Sequence, residues 1–150
     1  MNNDRDPELS PAIDFGLTLK RAQHVLALRI DEVLRPFDLN LGLWAVLREA
    51  ARHPGASASE LARATFHTPQ TLSGLLRRLE ERGLVERGTG RGRIVDNHVT
   101  AAGHQALATV TPLAEAVIAG ALEAVGPADR ATLCRLSADF AGSLTRSDET

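Results

Sequence analysis

Residues 68–93 read TPQTLSGLLRRLEERGLVERGTGRGR, and the reading of this stretch decides the fold. Thr68 followed by Pro69 is a helix start. The hydroxyl can accept a free N–H of the first turn, and proline at the first helical position has no N–H to leave unpaired. Leu72, Leu75, Leu76 and Leu79 recur at threes and fours, which predicts one buried helical face. Gly83 supplies the stop. Beyond it the period changes: Leu84-Val85-Glu86-Arg87 is short and strand-like, GTGRG is a turn, and residues 93–99 can return as a second strand. A helix followed by a β-hairpin with a basic, glycine-rich tip is the expectation.

The charge of this segment sets it apart. Arg77, Arg78, Arg82, Arg87, Arg91 and Arg93 stand against Glu80, Glu81 and Glu86, a net +3 in a chain of formal net charge −2, so the remainder sums to −5. Arginine outnumbers lysine sixteen to one. Its planar fork suits bidentate contact with phosphates and base edges. A solvated helix face laced with salt bridges is the plainer alternative.

Upstream, Ser57-Ala58-Ser59-Glu60 has the spacing of a capping box, which opens a short helix carrying Leu61 and Ala62 and stopping near Thr65-Phe66. Two short capped helices joined by a tight turn make a helix-turn-helix. Before them, Asn40 can cap a helix over about 41–53, ended by His53-Pro54-Gly55. Earlier still, Ser10-Pro11 can start a long helix with Phe15, Leu19, Ala22, Leu26, Ile30, Val33 and Phe37 in a stripe and further apolar residues beside it. So much apolar surface on one helix suggests a partner subunit. Downstream, Thr100 can cap a helix of about 101–124, and Gly126-Pro127 restarts a last helix with Leu133, Leu136, Phe140 and Leu144 on one face.

With 150 residues and 43% hydrophobic content, the chain can bury the core of one ordinary domain. Its apolar runs read as short and broken by charge, which predicts no membrane span. The polar start lacks the apolar core of a secretion signal. The single cysteine, Cys134, excludes an internal disulfide framework and fits a reducing cytoplasm. No nucleophile–base arrangement points to an enzyme. The glycine-rich loop lacks the Lys-Ser/Thr ending of a phosphate-binding loop. Five histidines (His24, His53, His67, His98 and His104) form no recognised ligand spacing, so neither a metal nor another cofactor is expected.

What remains is nucleic-acid recognition. Short polar side chains at a helix's leading end can meet base edges in the major groove, and Thr68, Gln70, Thr71 and Ser73 are so placed. Gln70 is the candidate base reader, since its amide can both donate to and accept from adenine. Arg77 and Arg78 lie further on toward the phosphates. Arg91 and Arg93, on a thin glycine-rich element, suit a minor groove or a phosphate track.

The order of helices, the stretches LLRRLEERGLVER (residues 75–87) and VTAAGHQAL (residues 99–107), and ASASELARAT (residues 56–65) resemble the MarR family of winged helix-turn-helix transcriptional regulators. The likeness runs over about residues 10–145. It implies a mainly α, single-domain protein, with a winged helix-turn-helix lobe over about 40–100 and dimerisation helices over about 10–36 and 101–145. It further implies a cytoplasmic homodimer binding palindromic double-stranded DNA, usually as a repressor, with release by a small-molecule effector. Ser57, Ser59 and Pro69 then join the DNA-facing set. His24, Trp44 and Arg48 are the candidate effector-pocket residues, against the simpler reading of Trp44 as core and Arg48 as surface. Cys134 reads as packing at the dimer seam. The aspartate that often precedes the family's wing arginines is absent, and Arg91-Gly92-Arg93 stands in its place. The rival readings are a winged-helix protein-interaction module and a ligand- or metal-binding protein.

Overall fold

The computed structural model describes residues 10–89, 92 and 94–146. Six α-helices and one hairpin follow in the order α1 (Pro11–Leu34), α2 (Leu41–Arg52), α3 (Ala58–Thr65), α4 (Pro69–Glu81), β1 (Val85–Thr89), β2 (Val95–Val99), α5 (Ala101–Leu122) and α6 (Pro127–Arg146). Two compact units divide the chain at Ala114 and Glu115.

In the first unit, α1 begins at Ser10-Pro11 as expected, but Ser10 makes no side-chain cap bond. The helix ends at Leu34, where Arg35-Pro36-Phe37 tightens into a 3₁₀ turn and Asp38 turns the chain at φ 53°. Two carboxamide or carboxylate oxygens then start α2: Asn40 Oδ1 accepts from Leu43 N–H, and Asp31 Oδ1 from Leu41 N–H at 2.7 Å. Each such cap satisfies a donor that the helix cannot, an effect of about 1 kcal/mol.

The core draws one stripe from each helix: Ile30 and Leu34 from α1, Leu43, Val46, Leu47 and Ala50 from α2, Leu61 and Ala62 from α3, and Leu72, Leu76 and Leu79 from α4. Leu75, expected in the buried face, is only half-buried and packs at the stripe's edge opposite Gly42. Val110 and Ala114 on α5 complete the core.

The end of α4 is a Schellman motif. Gly83 at φ 68° donates to Glu80 O, and Leu84 N–H reaches back to Leu79 O, which needs the left-handed backbone that glycine adopts without cost. Thr100 ties this turn to α5: its hydroxyl donates to Gly83 O at 2.6 Å and accepts from Gly103 N–H at 3.0 Å. Gly103 has to be glycine for a different reason. A Cβ there would lie 2.2 Å from the Leu84 carbonyl oxygen.

The hairpin is antiparallel, with Val85 opposite Val99 and Thr89 opposite Val95. Its second strand begins at Val95, two residues later than the sequence pattern predicts. A third segment joins it, because Gly55 N–H donates to Asn97 O and Asn97 N–H to Ala56 O. Asn97 is buried, and its Nδ2 also donates to Ala56 O at 2.9 Å.

In the second unit, the turn from α5 to α6 is held by Arg130, whose Nε donates to the carbonyls of Leu122 and Val125. Leu133, Leu136 and Leu144 of α6 are exposed, and so is Cys134. The expectation of only short apolar runs is also corrected. By length and composition α5 could cross a membrane, with a mean hydropathy of 1.4 in its most apolar window. Its start nevertheless packs as a core helix, through buried Gly103, Val110 and Ala114.

Candidate nucleic-acid interface

The interface is built around α4. Thr68 Oγ1 accepts from Thr71 N–H at 3.2 Å and donates to Thr71 Oγ1 at 2.9 Å, and Pro69 occupies the first helical position. The helix start is thus fixed while Thr68, Pro69, Gln70, Thr71 and Ser73 all remain exposed. Since Leu72, Leu76 and Leu79 are fully buried, the polar edge cannot roll inward without exposing them. One face is held by the core and the opposite face is offered to a partner. A concavity of about 450 Å³ runs along it, lined by Gln70, Ser73, Gly74, Arg77, Glu80 and Arg87.

Preceding it, α3 starts with the expected capping box. Ser57 Oγ accepts from Glu60 N–H, while Glu60 Oε2 accepts from Ser57 N–H at 2.7 Å and Ser57 Oγ at 2.8 Å. The backbone N–H of Ser57, then its hydroxyl, hold the Glu60 carboxyl below its ordinary pKa. Ser57 is therefore engaged within its own helix turn, whereas Ser59 is exposed.

The arginines separate into distinct roles. Arg82 Nη1 and Nη2 donate to the carbonyls of Asp38 and Phe37 at 2.6 and 2.8 Å, pinning the end of α4 to the turn before α2. Its charge belongs to the basic segment, but its hydrogen bonds are structural. Arg87 pairs with Glu80 at 3.4 Å and Arg77 loosely with Glu81 at 3.9 Å, both in solvent. Such exposed pairs are worth little. Arg78 is exposed. Arg91 and Arg93 lie outside the described residues; between them, Gly92 turns at φ 84°.

The candidate effector residues are dispersed over two helices. Trp44 is half-buried on α2 and donates its indole N–H to Thr111 Oγ1 on α5 at 3.2 Å. Arg48, one turn later, is exposed, as is His24 on α1. A second open concavity, of about 610 Å³, lies at the α2–α3 corner, where Glu49 already engages both Arg52 and His53. Among the described residues no group of three or more His, Cys, Asp or Glu side chains could hold a metal.

A capped helix offering a polar leading edge, preceded by a short helix and followed by a hairpin, is a winged helix-turn-helix, the architecture of a DNA-binding regulator. Comparison with known proteins agrees. The MarR family model matches residues 37–93. The HTH-type transcriptional repressor Rv2887 of Mycobacterium tuberculosis is 33% identical over 124 residues, covering 83% of each chain. Two solved structures of that protein, one with salicylic acid and one with DNA, superpose with TM-scores of 0.69 and 0.67 at 29% and 28% identity. They cover 83% of this chain and 94% and 95% of theirs. The chain belongs to the MarR family of winged helix-turn-helix transcriptional regulators.

Proposed function

We propose that the protein is a homodimeric repressor that reads an inverted-repeat operator and leaves it when a small aromatic acid binds. The observation that carries the reading is the α4 edge: Gln70, Thr71 and Ser73 exposed on a helix whose opposite face is locked by three buried leucines. Gln70 meets a base edge. Thr68, Pro69, Thr71, Ser73 and Ser59 approach the backbone and groove wall, and Ser57 acts by holding α3 in place. Arg77, Arg78, Arg91 and Arg93 neutralise phosphates, so affinity falls steeply with salt.

Dimerisation is supported by exposed apolar residues on α1 (Leu17, Leu19, Val25, Leu28) and, separately, on α6 (Leu133, Leu136, Leu144). Residues of about 10–36 and 101–145 make the dimer, and about 40–100 the reading lobe. Two such lobes must enter successive major grooves about one helical turn apart. The relative Rv2887 has been solved with salicylic acid. For this chain, Trp44 supplies an aromatic wall, Arg48 the cationic group for a carboxylate and His24 a ring N–H, and occupancy biases the population away from the DNA-competent form. The protein works by binding rather than by catalysis, in the cytoplasm, without a cofactor.

Selection of bound fragments from random double-stranded DNA at near-physiological salt tests the reading. An enriched inverted repeat with half-sites about one turn apart is the expected result, and Gln70→Ala should relax preference at one base position. Weak, salt-insensitive binding without enrichment would favour a protein-interaction module.

A further inference from the structure

The turn between α3 and α4 is inside out. Thr65 and His67 are polar, yet both are half-buried and tied down: the Thr65 hydroxyl donates to Leu61 O at 2.7 Å and lies 2.9 Å from His67 Nδ1. Phe66, between them, is 81% exposed, the most exposed large hydrophobic residue among those described.

Its backbone is equally unexpected. Phe66 sits at φ 55°, ψ 34°, in the left-handed region, where a bulky side chain is disfavoured and glycine or asparagine is the ordinary choice. The conformation is imposed by the way α3 ends, with Phe66 N–H on Arg63 O and His67 N–H on Ala62 O. Glycine would relieve the backbone, and any polar residue would relieve the exposure. An aromatic ring satisfies neither demand, so its use lies outside the folded chain.

Position indicates that use. Phe66 is two residues before Thr68, the N-cap of the recognition helix, and four before Gln70. Four residues of chain span at most about 14 Å, comparable with the roughly 12 Å width of a major groove. The ring therefore lies within reach of a groove that the leading edge of α4 enters. The apolar feature a major groove offers is the thymine 5-methyl group, and phenylalanine is among the side chains that contact it.

We propose that Phe66 is a further specificity residue, its ring resting on the 5-methyl group of a thymine beside the bases met by the head of α4. This rests on the operator-reading function proposed above. In that role the unfavourable backbone fixes the ring's direction before DNA arrives, and less ordering is required on binding.

The test uses the full-length protein and the selected operator, with half-site thymines replaced one at a time by deoxyuridine, which lacks only the methyl group. At one position the change should weaken wild-type binding about four-fold, the worth of one buried methyl. Phe66→Gly should bind the unmodified operator weaker by at least that factor, and the deoxyuridine operator no worse than the unmodified one. Its Tm should be unchanged or raised by about 2–4 °C, and Phe66→Asn, which also tolerates the left-handed backbone, should behave alike. Full affinity in both variants, a methyl effect that persists without the ring, a lowered Tm, or an altered association state would each overturn the inference while leaving the operator reading intact. A wild type with no sequence preference would remove the operator reading and this inference with it.

Discussion

Helices α1 and α4 carry the same kind of apolar periodicity, yet they end up in opposite environments. On α4, Leu72, Leu76 and Leu79 are at most 1% exposed, because α2, α3 and β1 close over them. On α1 only Ile30 and Leu34 are fully buried, while Leu17 and Leu19 remain 55% and 43% exposed. Periodicity therefore tells that a face will be covered but not by what. The covering of α4 is supplied within the chain and fixes its exposed polar edge. For the exposed face of α1 the covering proposed is a second copy of the chain.

Substitution at each helix separates the two cases. Leu76→Ala should cost about 3 kcal/mol, the deleted methyls plus the cavity they leave, lowering Tm by roughly 6–12 °C. That loss should be the same at every protein concentration. Leu19→Asp should leave the lobe folded but weaken self-association by at least about ten-fold, measured by sedimentation, and should abolish any rise of Tm with protein concentration. If Leu19→Asp instead lowered Tm without touching association, α1 would be covered from within and the contrast would fail.

The arginines allow a finer division. Arg82→Ala removes two charge-assisted bonds to the Phe37 and Asp38 carbonyls; being exposed, they are worth about 1 kcal/mol. The salt dependence of DNA binding should not change. Arg78→Ala should do the reverse, leaving Tm nearly constant and reducing the slope of log affinity against log salt by about one. Equal slopes in the two variants would mean that Arg78 contacts no phosphate.

These residues also show how far the chain can be read directly. The helix starts at Asn40, Ser57, Thr68 and Thr100 and the stop at Gly83 were legible because capping is local chemistry, settled within four residues. The work of Arg82 was not legible, since its acceptors lie 44 and 45 positions away and are backbone carbonyls with no side-chain signature. Asn97 and Gly103 were hidden for the same reason: one serves Ala56 from β2, the other makes room for the Leu84 carbonyl. The polar leading edge of α4 could be read because every one of its members lies in one first turn or the next. The candidate effector residues could not be joined into a site from spacing, since they come from α1 and α2 and Trp44 donates its hydrogen bond to Thr111 on α5.

The smallest effect should come from the most local device. In the capping box at α3, Glu60 accepts the Ser57 N–H and hydroxyl, and these bonds lower its pKa from the ordinary 4.5. A carboxyl favoured in its charged form by folding contributes above the unfolded pKa and loses that contribution as pH falls through the lower, folded value. Glu60→Gln keeps an acceptor but not the charge, so wild type should melt slightly above the variant at neutral pH. The gap should hold down to about the ordinary carboxylate pKa and close only in more acidic solution. Because the box is closed within the first turn of α3, the gap should also be independent of protein concentration, unlike the effect at Leu19. A gap that grew with acid would have the wrong sign for a carboxylate stabilised by its cap, and one that varied with concentration would place α3 at a subunit contact.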